Sequence, residues 1–283
     1  MRLANLKGRL TTFIDRAPID VATASGGRFD SNPQAAFQRW DDLRSWGAEH
    51  AASGGAEITP DACGAPVPAP RQVFGIGLNY RSHAEETNFE LPPVLSVFTK
   101  FPSCIVGQDV PVEVVGDATD WEVELVVVIG CEAHHVAAGD SWAHVAGLMI
   151  GQDISQRGRQ LAGSAAQFSM GKSYPGFGPT GPWLVTPDEL ADPDDLPIRC
   201  MLGGEIVQEA RTGDMIFGVA ELVQQLSAVC RLLPGDLVFT GTPAGVGFAR
   251  SPQRFLTAGD VLVGEIDGVG RLTTVMAARS ASA

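Results

Sequence analysis

Apolar residues in this chain gather in short runs more often than at helical spacing. Runs rich in β-branched residues recur between glycine and proline turns, at Cys104 to Val106, Val110 to Val115, Trp121 to Ile129, Leu237 to Thr240, Val261 to Ile266 and Leu272 to Met276, and each reads as a strand. Helical spacing is rarer. Phe37, Trp40, Leu43, Trp46 and Gly47 among charged residues place one amphipathic helix over about Pro33 to Ala51, after the turn-rich Gly26 to Asn32. Shorter helix-like stretches cover Ser82 to Thr87, Ile154 to Ala162 and the better amphipathic Val219 to Cys230. Strand and helix do not alternate regularly, which argues against a Rossmann-type sheet and for a strand-rich α+β fold. The segment Asp61 to Arg71, with Pro66, Pro68 and Pro70, reads as an extended connection. It divides the chain into a small N-terminal lobe, residues 1–70, and a main domain, residues 71–280.

Composition narrows the class. The chain has 283 residues, 45% of them hydrophobic, enough to bury a substantial core. Its 33 acidic against 20 basic residues give a net charge of -13, which repels nucleic acid and anionic membranes. With no secretory leader pattern and no apolar run long enough to span a bilayer, a soluble cytoplasmic protein is expected. The five cysteines, Cys63, Cys104, Cys131, Cys200 and Cys230, are widely spaced and form no C-x-x-C pair, so reduced, partly buried thiols are expected.

Candidate chemistry begins with Asp120, Glu122 and Glu124, which a strand's period of two directs to one face. Their repulsion is relieved by full solvation, by protonation or by a cation between them. Asp153 follows the apolar run Val145 to Ile150 and either caps the helix-like segment after it or joins the acids. Three carboxylates, Glu122, Glu124 and Asp153, make an all-oxygen set suited to Mg²⁺ or Mn²⁺ rather than Zn²⁺. His83 and Glu86, three residues apart, share a face if that stretch is helical. There Glu86 can orient His83 as a general base toward water, although the same pair is at home on a solvated surface. The only lysines are Lys7, Lys100 and Lys172. Lys100 and Lys172 lie where an ammonium can be partly desolvated, with a solvent-exposed loop lysine the plainer reading of Lys100. The string Ala166 to Ser173 mimics a phosphate-binding loop, but the segment before it is not strand-like and the one after it cannot form a helix. Gly75-Ile-Gly77 lacks the third glycine of a dinucleotide fingerprint.

Six stretches, in this order, resemble the fumarylacetoacetate hydrolase family: Gly77 to Glu86, Asp120 to Glu124, Gly151 to Arg157, Gly171 to Ser173, Thr212 to Phe217 and Pro234 to Gly247. The resemblance extends from about Val73 to Met276 and points to the acylpyruvase or fumarylpyruvate hydrolase-like branch. It implies a mixed β-roll, usually dimeric, with Mg²⁺ or Mn²⁺ on Glu122, Glu124 and Asp153. By the same resemblance His83 with Glu86 activates water, Lys172 stabilises charge, and Arg157, Gln160 and Thr242 contact a small anionic keto acid. Arg81 and Arg159 become candidates for a second substrate carboxylate. The implied reaction is hydrolysis of a carbon–carbon bond in a 1,3-diketo acid by way of an enolate on the cation. Decarboxylation, isomerisation or tautomerisation at the same site is a second reading, and a non-catalytic ligand-binding protein a third.

Overall fold

The longest apolar runs lie at the centre of the molecule. In the structure, a computed structural model that describes residues 1–14, 17–50, 63–87, 90, 93–164 and 166–279, strands Val123–Ile129 and Val145–Gln152 are buried along their whole lengths. Both faces of these strands are covered, which is why they read as continuous apolar runs rather than alternating ones. They pair antiparallel, with Val123 opposite Gln152 and Glu124 opposite Gly151. This register places the acidic end of one strand beside the segment leading to Asp153.

Around this pair the large sheet runs in the order Ala17–Asp20, Arg9–Ile14, Arg2–Leu6, Gly178–Val185, Val145–Gln152, Val123–Ile129, Leu237–Phe239, Val73–Gly77, Ser96–Thr99. The sheet is mixed: Leu237–Phe239 runs parallel to Val73–Gly77, and the other neighbours in this order are antiparallel. A second sheet, in the order Glu205–Arg211, Pro197–Leu202, Val261–Ile266, Gly270–Ala277, Val112–Glu113, closes over the first. The fold is strand-rich α+β, as the spacing of apolar runs predicts.

Helix Val219–Ser227 buries Val219, Leu222, Val223 and Leu226, the one-face spacing its sequence shows. The helix expected over about Pro33 to Ala51 starts as a 3₁₀ stretch, Pro33–Arg39, and continues as the α-helix Trp40–His50. That helix buries Trp40, Leu43 and Trp46 in the main core. Ala51, the expected helix end, and Asp61, the expected start of the proline-rich connection, lie outside the described residues. Among the described residues, the N-terminal segment also adds four strands to the large sheet, Arg2–Leu6, Arg9–Ile14, Ala17–Asp20 and Cys63–Gly64, with Leu3 opposite Leu184.

One expected helix is absent. Ile154 to Ala162 instead forms the short strand Ser155–Gln156, paired with Thr119–Asp120, and a single turn, Arg157–Gln160. Buried ion pairs of Arg157 override the local helical spacing, as described below. Strand Gly178–Val185 was hidden by Pro179 and Pro182, which lack the N–H of a regular ladder; its pairing with Val145–Gln152 shifts register between Leu148 and Ile150. No helix among the described residues is long and apolar enough to cross a membrane.

Candidate active site

Glu122, Glu124 and Asp153 come together, each buried, with one carboxylate oxygen of each within 4.8 Å of the others. Asp120 departs from the expected acidic face. It lies in its own short strand and turns toward the glycine-rich segment after Thr242, accepting N–H bonds from Trp121 (2.8 Å), Gly247 (2.8 Å) and Phe248 (2.9 Å).

Three cations thread this cluster. Lys172 Nζ donates to Glu122 Oε2 and Asp153 Oδ2, both at 2.7 Å, and to Ser155 Oγ at 2.8 Å. Arg157 donates through Nε to Asp120 (2.8 Å) and through Nη1 to Glu122 (2.7 Å) and Gln160 Oε1 (3.0 Å). Lys100 is not a loop lysine at the surface: its ammonium is enclosed, bonding Asp153 Oδ1 at 2.6 Å, Phe177 O at 3.1 Å and the carbonyl of Lys172. A buried ammonium requires such partners. They come from residues 53, 72 and 77 positions along the chain, out of reach of local sequence reading.

The electrostatics follow from these contacts. Burial opposes ionisation of Glu122, but Lys172 and Arg157 outweigh it and hold its pKa below the usual carboxylate range. Burial likewise opposes the charged form of Lys172, and Asp153 and Glu122 overcome it to raise the lysine. Glu124 is the exception. Burial, then Asp153 and Glu122, push it well above its ordinary value, and among the described residues it has no ion pair, only the Gly241 N–H at 2.8 Å. Four buried carboxylates thus face three cations, and the oxygens around the unpaired one form a hard, anionic donor set. Those residues fit Mg²⁺ or Mn²⁺.

The His83–Glu86 pair is on helix Arg81–Thr87, with His83 Nδ1 and Glu86 Oε1 2.7 Å apart. The other oxygen of Glu86 accepts the Gly245 N–H at 2.8 Å. The segment Gly241 to Phe248 is therefore clipped by carboxylates from three elements: Glu124, Glu86 and Asp120. Gln208 Nε2 adds bonds to Thr242 Oγ1 and Pro243 O, both at 2.8 Å. Gly245 has φ +109, and a Cβ there would lie 2.0 Å from Val207 O, so only glycine fits.

A cavity of about 110 Å³ opens over these groups, lined on its polar side by His83, Glu122, Arg157, Gln160, Lys172 and Thr242. Glu124 and Asp153 adjoin it through Glu122. The Thr242 hydroxyl already donates to Val123 O at 2.9 Å, so a ligand meets its remaining lone pair or the backbone rather than a free O–H donor. Arg81 and Arg159 depart from expectation. Both are exposed and neither lines the cavity, because helix Arg81–Thr87 turns His83 and Ala84 inward and its first residue outward.

A family model for the fumarylacetoacetate (FAA) hydrolase C-terminal domain matches residues 72–277. The human mitochondrial oxaloacetate tautomerase FAHD2A is 42% identical over 208 residues, covering 73% of this chain and 66% of the relative. The match thus spans just under two thirds of that relative's length. Among solved structures, a candidate HpcE protein from Mycobacterium smegmatis superposes with a TM-score of 0.92 at 46% identity, covering 99% of this chain and 100% of the other. A maleylpyruvate hydrolase from Sphingobium sp. SYK-6, solved with manganese(II) and pyruvate, gives 0.81 at 28% identity over 99% of this chain and 100% of the other. With a family match running from the end of the proline-rich connection to the last strand, the chain belongs to the fumarylacetoacetate hydrolase family.

Proposed function

We propose that the chain is a divalent-cation-dependent hydrolase that cleaves the carbon–carbon bond between the two carbonyls of a small acylpyruvate-type keto acid. One observation carries the reading: an oriented His83–Glu86 pair opens onto the same cavity as Glu122, Arg157 and Lys172. When held by Glu122, Glu124 and Asp153, Mg²⁺ or Mn²⁺ supplies Lewis-acid stabilisation of negative charge on the substrate's oxygens.

The chain's own residues do the rest. Glu86 holds the Nδ1–H of His83, which leaves Nε2 to take a proton from water. The water oxygen bonds to the carbonyl carbon distal to the carboxylate, and the bond from that carbon to the methylene breaks with its electron pair on the methylene carbon. The proton held by His83 returns to that carbon, giving pyruvate and a carboxylic acid. Lys172 stabilises the charge that develops in the enolate. Arg157 and the free amide N–H₂ of Gln160 orient the substrate carboxylate, with Thr242 beside them.

A second reading, tautomerisation or decarboxylation of oxaloacetate, is favoured by the 42% identity to a protein named for the former activity. Tautomerisation moves a proton at the same methylene carbon with His83 as base, whereas decarboxylation releases carbon dioxide, leaves its electron pair on that carbon and needs His83 only to deliver a proton there. The deciding measurement is product analysis with metal-stripped protein given acylpyruvates and oxaloacetate, with and without Mn²⁺, beside a Glu122→Ala/Glu124→Ala control. Metal-dependent pyruvate plus a carboxylic acid is expected. Turnover confined to oxaloacetate would establish the second reading, and activity that survives in the control would sink the proposed role of the carboxylates.

A further inference from the structure

We propose that the cavity takes the acyl end of its substrate as an uncharged, apolar chain and rejects a second carboxylate there. The inference rests on the keto-acid head chemistry proposed above and names the substrate class of the same site.

Away from the polar groups, the cavity wall is Ile76, Leu78, Phe98, Leu161, Phe168 and Phe248. The two cations that line the cavity among the described residues are already engaged, Arg157 by Asp120 and Glu122, and Lys172 by Glu122 and Asp153. Both are also flanked by rings of the wall: Arg157 Cζ is 6.0 Å from the Phe248 centroid and Lys172 Nζ is 5.2 Å from that of Phe98. Positive charge is thereby held at the head end of the cavity. Among the described residues, Arg81 and Arg159 are exposed and line none of it.

Leu78 adds an independent sign that the wall is built. Its φ is +54, a left-handed conformation that costs a bulky residue energy and persists only where neighbours enforce it. Enforcement comes from Asn79, whose amide donates to Phe217 O (3.0 Å) and Thr240 O (2.7 Å) and accepts from Phe217 N (2.9 Å). A second carboxylate would lie unpaired against apolar side chains, which costs far more than a methyl group gains there.

The test uses Mn²⁺-loaded protein and calorimetric titration with pyruvate, 2-oxohexanoate and 2-oxoadipate; the last two have equal length and differ in the terminal carboxylate. The expected result is 2-oxohexanoate binding at least about 10-fold tighter than 2-oxoadipate. Leu161→Arg, a change at a residue 38% exposed, is expected to narrow that ratio. Equal or tighter binding of 2-oxoadipate by the native protein, with pyruvate still bound, overturns the apolar subsite and leaves the head chemistry standing. Failure of all three to bind overturns both.

Discussion

Both carboxylate oxygens of Glu86 are in use, one on His83 and one on the Gly245 N–H. An amide in its place can accept only one of those two bonds, so Glu86→Gln is expected to lower kcat by about 10²–10³-fold while Mn²⁺ affinity, read by titration, is retained. The spacing of His83 and Glu86 is legible in the sequence because a helical turn brings the third residue onto the same face. Lys100 and Asp120 are not, because their roles depend on partners brought up by other strands. A third residue, Cys200, affects stability. Burial pushes its thiol up to about 12, against a smaller lowering by Gln152. The unfolded chain releases this proton near an ordinary thiol pKa of about 8.5 and the folded chain keeps it. The stabilisation is therefore complete below about pH 8.5 and is lost as pH rises toward the folded value, at about 1.4 kcal/mol per pH unit for this group. Urea unfolding between about pH 9 and pH 11 is expected to show a shallower alkaline slope in Cys200→Ala than in the native protein, and equal slopes would refute this.

At the level of elements, the segment from Gly241 to Phe248 decides how the site is assembled. It has no regular structure of its own up to Val246, and its amides are held by Glu124, Glu86 and Asp120. Gly245→Ala requires a Cβ 2.0 Å from Val207 O at φ +109. It is expected to cost about 1–3 kcal/mol and to lower kcat as well, since the displaced amide releases Glu86; thermal melts and initial rates together check this. The sequence shows this segment only as a glycine-rich turn, since nothing local says which carboxylates will meet its amides. The same limit explains the missed structure at Ile154 to Ala162. There the apolar spacing fits a helix, but the buried bonds of Arg157 to Asp120 and Glu122 hold the chain in a strand and a single turn. The strands within Trp121 to Ile129, Leu237 to Thr240, Val261 to Ile266 and Leu272 to Met276 are legible in the sequence, while Arg2–Leu6, Val145–Gln152, Glu205–Arg211 and the proline-bearing Gly178–Val185 are not among those it marks as strands.

For the molecule as a whole, the N-terminal segment is part of the main sheet. Strand Arg2–Leu6 covers one side of Gly178–Val185, and Trp40, Leu43 and Trp46 sit in the shared core. Removing residues 1–70 would bare an internal strand edge and the apolar surface beneath it, both aggregation hazards. Such a chain is expected to elute as aggregate in size-exclusion chromatography, and a well-behaved, active fragment would contradict this. The head groups of the site are fastened to central strands and to one clipped segment, whereas the tail wall draws on Leu78, Leu161 and Phe168, which are only half-buried or exposed. The two parts therefore differ in tolerance to change. Random variation at the wall positions should yield folded proteins with altered ligand preference, while variation among the head groups should yield mostly inactive ones, so a screen for new substrates belongs at Leu78, Leu161, Phe168 and Phe248.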